Sequence, residues 1–158
     1  MSDTARQNLR VAATHSGIRQ GVEAFDRFRS DCGLPEDAVW QVQVALDEML
    51  VNGVVHAYAD TVDGVLDLVF SFAGGEIEIA VVDDGPAFDP LTLPPPQVDA
   101  PLEDRRPGGL GVHFVRNLMD RVAYARRDGR NWFVCARRVT GAGARGGRVQ
   151  ADIDGRDR

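Results

Sequence analysis

Cysteine is scarce in this sequence, and long apolar runs are absent. Of the 158 residues only two are cysteines, Cys32 and Cys135, and neither belongs to a Cys-x-x-Cys pair or a histidine cluster. This pattern argues against a zinc or redox site and favours two reduced thiols. The chain has no stretch of about 18 apolar residues and no apolar signal core at its start, so we expect a cytoplasmic protein with no membrane-spanning segment.

An excess of positive charge is also absent. The 18 basic and 24 acidic side chains give a formal net charge of −6. A surface that binds nucleic acid directly needs the opposite sign, so we do not expect a nucleic-acid-binding domain. The chain has no internal repeat, and its length suits one domain with its own hydrophobic core.

Hydrophobic spacing predicts a series of strands and helices. Val39, Val42, Leu46 and Leu50 recur at intervals of three and four, as on one buried helix face. The predicted elements, in chain order, are a strand at 8–14, a helix capped by Ser16 and ended by Gly33, a helix from Pro35 to about Tyr58, a hairpin at 66–81, a helix at 110–120 and a hairpin at 121–139.

This order of elements predicts an α+β two-layer sandwich, in which helices cover one face of a largely antiparallel mixed sheet. We expect a single domain over residues 1–140 and a disordered, glycine-rich tail over 141–158. Between the first hairpin and the last helix, residues 85–109 hold most of the eight prolines. An irregular segment of this length is more often a functional lid than padding.

The first of three polar motifs lies on the second predicted helix. Glu48, Asn52 and His56 are spaced four residues apart and therefore line one stripe of that helix. Glu48 suits a general base, Asn52 offers a neutral oxygen to Mg²⁺, and His56 can donate to an anion. Taken alone, the stripe is better explained as a solvated helix face than as a site.

The second motif, VVDDGPAFDP, ends the first hairpin. Asp83 is placed to accept a hydrogen bond from an amino group such as that of adenine, and Gly85 lets a flat ligand approach the backbone. A turn without further function explains the same residues.

The third motif, RRPGGLGVHFV, places Gly108, Gly109 and Gly111 at the start of a predicted helix. Backbone N–H groups at a helix N-terminus bind phosphate. The motif lacks the Gly-Lys-Ser/Thr ending of a P-loop and the preceding parallel strand of a dinucleotide-binding fold. Helix entry alone remains the alternative explanation.

In their order and spacing the three motifs resemble the GHKL ATP-binding superfamily over about residues 8–140. The finer resemblance is to anti-sigma-factor serine kinases of the RsbW type, whose helix motif is Glu-x-x-x-Asn-x-x-x-His-x-Tyr, here ending at Tyr58. The Phe-Asp-Pro at 88–90 and the Leu-Met-Asp at 118–120 also match that type. The resemblance implies the GHKL (Bergerat) fold.

The resemblance implies ATP and Mg²⁺ as cofactors. Glu48 would be the base for the incoming hydroxyl, Asn52 would ligate the Mg²⁺, and Asp83 would accept from adenine N6, with Gly85 making room for the ring. His56 would contact nucleotide or pack beside Tyr58. The remaining nucleotide-binding positions that the resemblance implies are Ala87, Arg105, Arg106, Gly108, Gly109, Leu110 and Gly111. Arg105 or Arg106 would reach the γ-phosphate, and Ala87 replaces a glycine of the superfamily pattern, which suggests a changed lid hinge.

We interpret the chain as a protein serine/threonine kinase that binds a sigma factor and phosphorylates an anti-anti-sigma (STAS-type) protein, and the resemblance implies a homodimer. The alternative is a non-catalytic ATP-sensing module that binds partners through the same fold. A histidine-kinase catalytic domain fits less well, since no helical hairpin with a phosphoacceptor histidine precedes the motifs. A topoisomerase or mismatch-repair ATPase would need a second domain.

Overall fold

The computed structural model describes residues 4–57, 63–94, 99, 101, 103 and 110–139. Its strands and α-helices, in chain order, are β1 (Ala5–Ala12), α1 (His15–Asp31), α2 (Glu36–Asn52), β2 (Val65–Ala73), β3 (Glu76–Asp83), α3 (Leu110–Leu118), β4 (Arg121–Arg127) and β5 (Arg130–Arg138). A π-helical turn, Gly53–Ala57, follows α2, and a short 3₁₀ turn, Pro90–Thr92, follows β3. The α+β fold class is confirmed.

The five strands form one sheet in the order β1-β2-β3-β5-β4, and every pairing is antiparallel. Along β2, the side chains of Leu66, Leu68 and Phe70 are fully buried, while the residues between them are partly exposed. This alternation is the period of two that a sheet with one covered face requires. The covering layer is helical, as the sequence predicted.

Helices α1 and α2 supply the other half of the core. Phe25 of α1 meets Phe70 edge-on at a centroid distance of 5.4 Å, and Phe28 lies 5.8 Å from the same ring. Leu46 and Leu50 of α2 are fully buried. The π-helical turn after α2 contacts β3, so this packing brings the end of α2 to the end of β3, where two of the polar motifs lie.

Several boundaries differ from the sequence predictions. Strand β1 runs from Ala5 to Ala12 where 8–14 was predicted, and α3 ends at Leu118 where 120 was predicted. Thr14, not Ser16, caps α1, because its Oγ1 accepts from the backbone N–H of Gly17 at 3.1 Å. A Cβ at Gly17 would collide with the carbonyl of Ala12, so only glycine at this position lets the end of β1 lie against the first turn of α1. Helix α2 ends at Asn52 and continues as the π-helical turn to Ala57, whereas the predicted end, Tyr58, lies outside the described residues.

Several predictions concern residues that the structure does not describe. Residues 140–158, which include the predicted tail, and most of 95–109, in the predicted lid, belong to this group. Among the described helices, none combines the length and the apolar character needed to cross a membrane.

Candidate functional site

The end of α2 and the end of β3 enclose a small cavity of about 30 Å³. Asn52, His56 and Asp83 all line it, so the structure brings together residues from two of the predicted motifs. Such a volume holds about one or two water molecules. A purine ring therefore requires the cavity to widen.

Asp83 is held in place by the protein through one oxygen. It is 8% exposed, and its Oδ1 accepts from the backbone N–H of Gly85 at 2.9 Å and from Asn131 Nδ2 at 2.8 Å. Its Oδ2 has no hydrogen-bond partner among the described residues. Because the carboxylate is oriented through Oδ1, Oδ2 is left to accept from a ligand amino group, as the sequence predicted for adenine.

Asn131 organises this end of the site, and sequence analysis missed it. Its Nδ2 also donates to the carbonyl of Pro86 at 2.9 Å, while its Oδ1 accepts from Tyr124 OH at 2.6 Å and from Phe88 N–H at 3.3 Å. One buried amide thus ties the loop after β3 to β4 and β5. The position of Asn131 in the sequence could have predicted this role. Asn131 shares the inward face of its strand with apolar residues, and a buried amide needs hydrogen-bond partners.

The loop is fastened on its other side by an arginine. Arg126 Nη1 donates to the carbonyl of Gly85 at 2.8 Å. The sequence pattern identifies Arg126 only as an exposed strand residue, because its partner is distant in the chain. The conformation of the loop at 83–88 is therefore determined by β4 and β5 as well as by its own sequence.

Gly85 is needed for close packing of the chain. A Cβ at this position would lie 2.8 Å from the Cα, Cβ and carbonyl oxygen of Ala57. Real Cβ atoms do not approach backbone so closely, so glycine allows the end of β3 to touch the π-helical turn. The room that Gly85 was expected to make for a base stays a prediction. Ala87, two residues on, is exposed.

Glu48 lies against the first turn of α3. Its Oε2 occupies the space that a Cβ of Gly111 would fill. Burial, and secondly the charge of Asp47, raise the pKa of the Glu48 carboxyl. A general base works best when its pKa lies near the working pH, so both position and proton affinity suit the predicted role.

Asn52 carries an unmet hydrogen-bonding group. Its Nδ2 is buried and has no partner among the described residues. Buried amides are nearly always paired, so the cavity has room for one more polar partner at this residue. A phosphate oxygen can accept from Nδ2 while Oδ1 remains available to a cation. The arrangement fits an ATP–Mg²⁺ ligand.

His56 packs against an aromatic ring at the edge of the cavity. The His56 and Phe88 rings stack with centroids 4.5 Å apart and planes inclined by 20°, and both rings line the cavity. This contact favours the packing role for His56 over donation to an anion.

The third motif is described only in part. Leu110 opens α3 and Gly111 follows it. Arg105, Arg106, Gly108 and Gly109 lie outside the described residues, so their predicted contacts with phosphate stay predictions. What the structure brings together is Asn52, His56 and Asp83 around the cavity, and Glu48 with Gly111 beside it.

Comparison with known proteins identifies similar sequences and a similar fold. Residues 10–136 match the family described as histidine kinase-like ATPase domain. Serine/threonine-protein kinase BtrW of Bordetella bronchiseptica is 34% identical over 85 residues, which are 54% of this chain and 60% of BtrW. Serine-protein kinase RsbW of Listeria innocua is 28% identical over 118 residues, 72% of this chain and 75% of that protein.

The match to BtrW thus spans less than two thirds of that relative's own length. Among solved structures, the RsbU and RsbW domains of a Mycobacterium tuberculosis protein superpose with a TM-score of 0.61 at 17% identity. The superposition covers 85% of this chain and 32% of the other. At that identity the likeness shows a shared fold.

Proposed function

Because the chain belongs to the histidine kinase-like ATPase family, which implies ATP binding, we propose that it is a protein serine/threonine kinase. The proposal rests chiefly on one observation. The Glu48 carboxylate lies at the first turn of α3, one helical turn from the unpaired amide of Asn52. A base and a nucleotide-binding amide side by side are what transfer to a hydroxyl requires. The names of the relatives BtrW and RsbW support the same activity.

In the proposed reaction each described residue has a separate task. Asp83 Oδ2 accepts from the adenine amino group, and Asn52 holds the phosphate end of the nucleotide. Glu48 accepts the proton of a serine or threonine hydroxyl as its oxygen bonds to the γ-phosphorus and the bond to the β–γ bridging oxygen breaks, releasing ADP. Asn52 would also ligate a Mg²⁺ ion, which would neutralise phosphate charge.

The finer proposal concerns partners. The resemblance of the sequence motifs to anti-sigma-factor kinases supports a protein that binds a sigma factor and phosphorylates an anti-anti-sigma protein. The second candidate is an ATP-sensing module without transfer. It is favoured by the His56–Phe88 stack, since a nucleotide that separates these rings would alter the loop after β3 and so report its own binding.

The test uses purified protein, radiolabelled ATP, Mg²⁺ and candidate acceptor proteins. We expect the wild type to label an acceptor and Glu48→Gln to lower the rate by about 100-fold or more, with nucleotide affinity nearly unchanged. Glu23→Gln, the same substitution at an exposed position of α1 away from the site, should keep transfer. If Glu48→Gln retains transfer, the proposed role of Glu48 as the base is wrong. If the wild type binds ATP without transfer to any acceptor, the sensing module is favoured.

A further inference from the structure

The outward side of α2 is unusually apolar. Trp40, Val44, Val51 and Val55 are all exposed, with 48% of Trp40 and 52% of Val55 accessible to solvent. At 100° per residue the first three lie within about 40° of one another around the helix, and Val55 continues the line on the π-helical turn. We call these four residues the α2 ridge. Single exposed apolar residues are ordinary, but a contiguous row marks a surface for interaction.

The opposite side of α2 is apolar as well. Val39, Val42, Leu46 and Leu50 are completely buried against the sheet and α1. A surface helix normally carries polar residues on its outer side, and a row of apolar residues there is normally covered by a partner. The composition of α2 therefore suits a helix whose ridge is covered by another molecule.

The charges along the ridge indicate the chemistry of that molecule. Every charged residue of α2 is acidic: Glu36, Asp37, Asp47 and Glu48. Asp47 is exposed within the ridge and Glu36 and Asp37 are exposed at its start. A second copy of this chain would place like charges opposite one another, which is unfavourable. A surface with apolar side chains bordered by lysine or arginine is complementary.

The ridge runs beside the proposed base. Val44 precedes Glu48 by four residues and Val51 follows it by three, so both are its neighbours on the helix surface, with Cβ atoms about 5–6 Å apart. A protein bound to the ridge therefore lies within one helical turn of the carboxylate. We infer that the α2 ridge is the docking surface for the phosphoacceptor protein, which presents an apolar patch bordered by basic side chains. This inference rests on the proposed kinase function.

The experiment first identifies the acceptor by its label. Wild-type protein, radiolabelled ATP and Mg²⁺ are added to a lysate of the source organism, and the labelled protein is purified as the probe. Steady-state transfer to this probe is then measured for Trp40→Ser and for the double variant Val44→Ser/Val51→Ser. We expect the KM for the acceptor to rise about tenfold or more, with kcat at saturating acceptor and the KM for ATP unchanged.

Two controls distinguish specific docking from nonspecific apolar binding and from loss of the folded structure. Phe114→Ser removes the exposed aromatic residue of α3, which is not part of the ridge, and it should leave the KM for the acceptor within about twofold, as surface substitutions usually do. An unchanged KM for ATP shows that a ridge variant is folded. Raising the salt concentration should also raise the KM for the acceptor, because exposed charge pairs are screened.

The remaining outcomes contradict either the docking inference alone or the kinase proposal as well. If wild-type protein labels an acceptor and the ridge variants keep its KM, the docking inference is wrong while the kinase proposal stands. If the ridge variants instead dissociate a dimer in sedimentation velocity and leave the acceptor KM unchanged, the ridge binds a second copy. If no protein is labelled, the kinase proposal itself fails, and the docking inference fails with it.

Discussion

At the scale of single residues, the loop beside the site depends on one buried amide, Asn131, whose donors and acceptors are all used. Asn131 makes four hydrogen bonds, to Asp83, Pro86, Phe88 and Tyr124, at distances from 2.6 to 3.3 Å. Asp83 ends β3, Pro86 and Phe88 lie in the loop that follows it, and Tyr124 lies on β4. Because every donor and acceptor of the amide is occupied, Asn131 acts as a positioning residue and Asp83 remains free to use Oδ2 for a ligand.

Replacement of Asn131 tests this positioning role. Asn131→Ala removes one of the two bonds to Asp83 Oδ1 and the bonds to Pro86, Phe88 and Tyr124. A group left unpaired away from water costs about 1–3 kcal/mol, so we expect the free energy of unfolding to fall by about 2–4 kcal/mol. ATP affinity should fall as well, since Asp83 would be oriented only by the bond from Gly85 N–H. Chemical denaturation and nucleotide titration measure the two effects.

Asn117 provides the matched control for this substitution. Its Nδ2 lies 3.0 Å from the His113 ring on the exposed side of α3. Asn117→Ala should change stability by no more than about 0.5 kcal/mol. If Asn131→Ala binds ATP as tightly as the wild type, Asp83 is oriented without help from Asn131 and the positioning role is wrong.

At the scale of elements, the junction between the π-helical turn and the end of β3 determines the geometry of the cavity. The turn Gly53–Ala57 brings Ala57 against Gly85, and His56 of the same turn stacks on Phe88. Single π-helical turns occur often at functional sites. Here the wider turn lets α2 end beside the strand that carries Asp83.

A methyl group at Gly85 should disrupt this junction. In Gly85→Ala the new Cβ would lie 2.8 Å from backbone atoms of Ala57, so the turn or the loop has to move. We expect a loss of about 1–3 kcal/mol in the free energy of unfolding, as for other overpacked sites, together with weaker ATP binding. Ala87→Gly, an exposed change in the same loop, is the control and should alter stability by less than about 1 kcal/mol. A Gly85→Ala protein of wild-type stability would show that the junction adapts easily.

Sequence patterns predicted the elements well, because their signals are local. The alternation of Leu66, Leu68 and Phe70 is enough to place β2, and intervals of three and four are enough to place α2. The contacts of Asn131 and Arg126 join residues about 40 positions apart, so no local pattern reveals them. The cap at Thr14 and the π-helical turn depend on close packing against neighbouring segments, which also lies beyond a pattern of residue types.

At the scale of the whole molecule, α2 has two roles: the core requires buried apolar residues on it, and the site requires a carboxylate. One side of the helix is buried as part of the hydrophobic core. The same helix holds the partly buried carboxylate of Glu48, whose pKa is raised by burial and by Asp47. A raised pKa means that the folded protein binds the Glu48 proton more tightly than the unfolded chain does.

This linkage fixes the sign of a stability change with pH. Glu48 contributes its full stabilisation below its ordinary pKa of 4.5, and that contribution is lost as the pH rises through the higher folded value. At neutral pH the ionised, partly desolvated carboxylate therefore lowers stability. Glu48→Gln removes that charge, so we expect the variant to have a higher Tm than the wild type at pH 7 to 8, an advantage that shrinks as the pH approaches 4.5.

Thermal unfolding over this pH range measures the difference, and Glu23→Gln, at an exposed position on α1, provides the control without a buried carboxylate. If Glu48→Gln melts below the wild type at neutral pH, the carboxylate makes a favourable contact in the folded state and its burial is not a cost. The expected result, a gain in stability together with a loss of transfer, would show that Glu48 is kept for chemistry, because a stability requirement alone would favour the neutral amide.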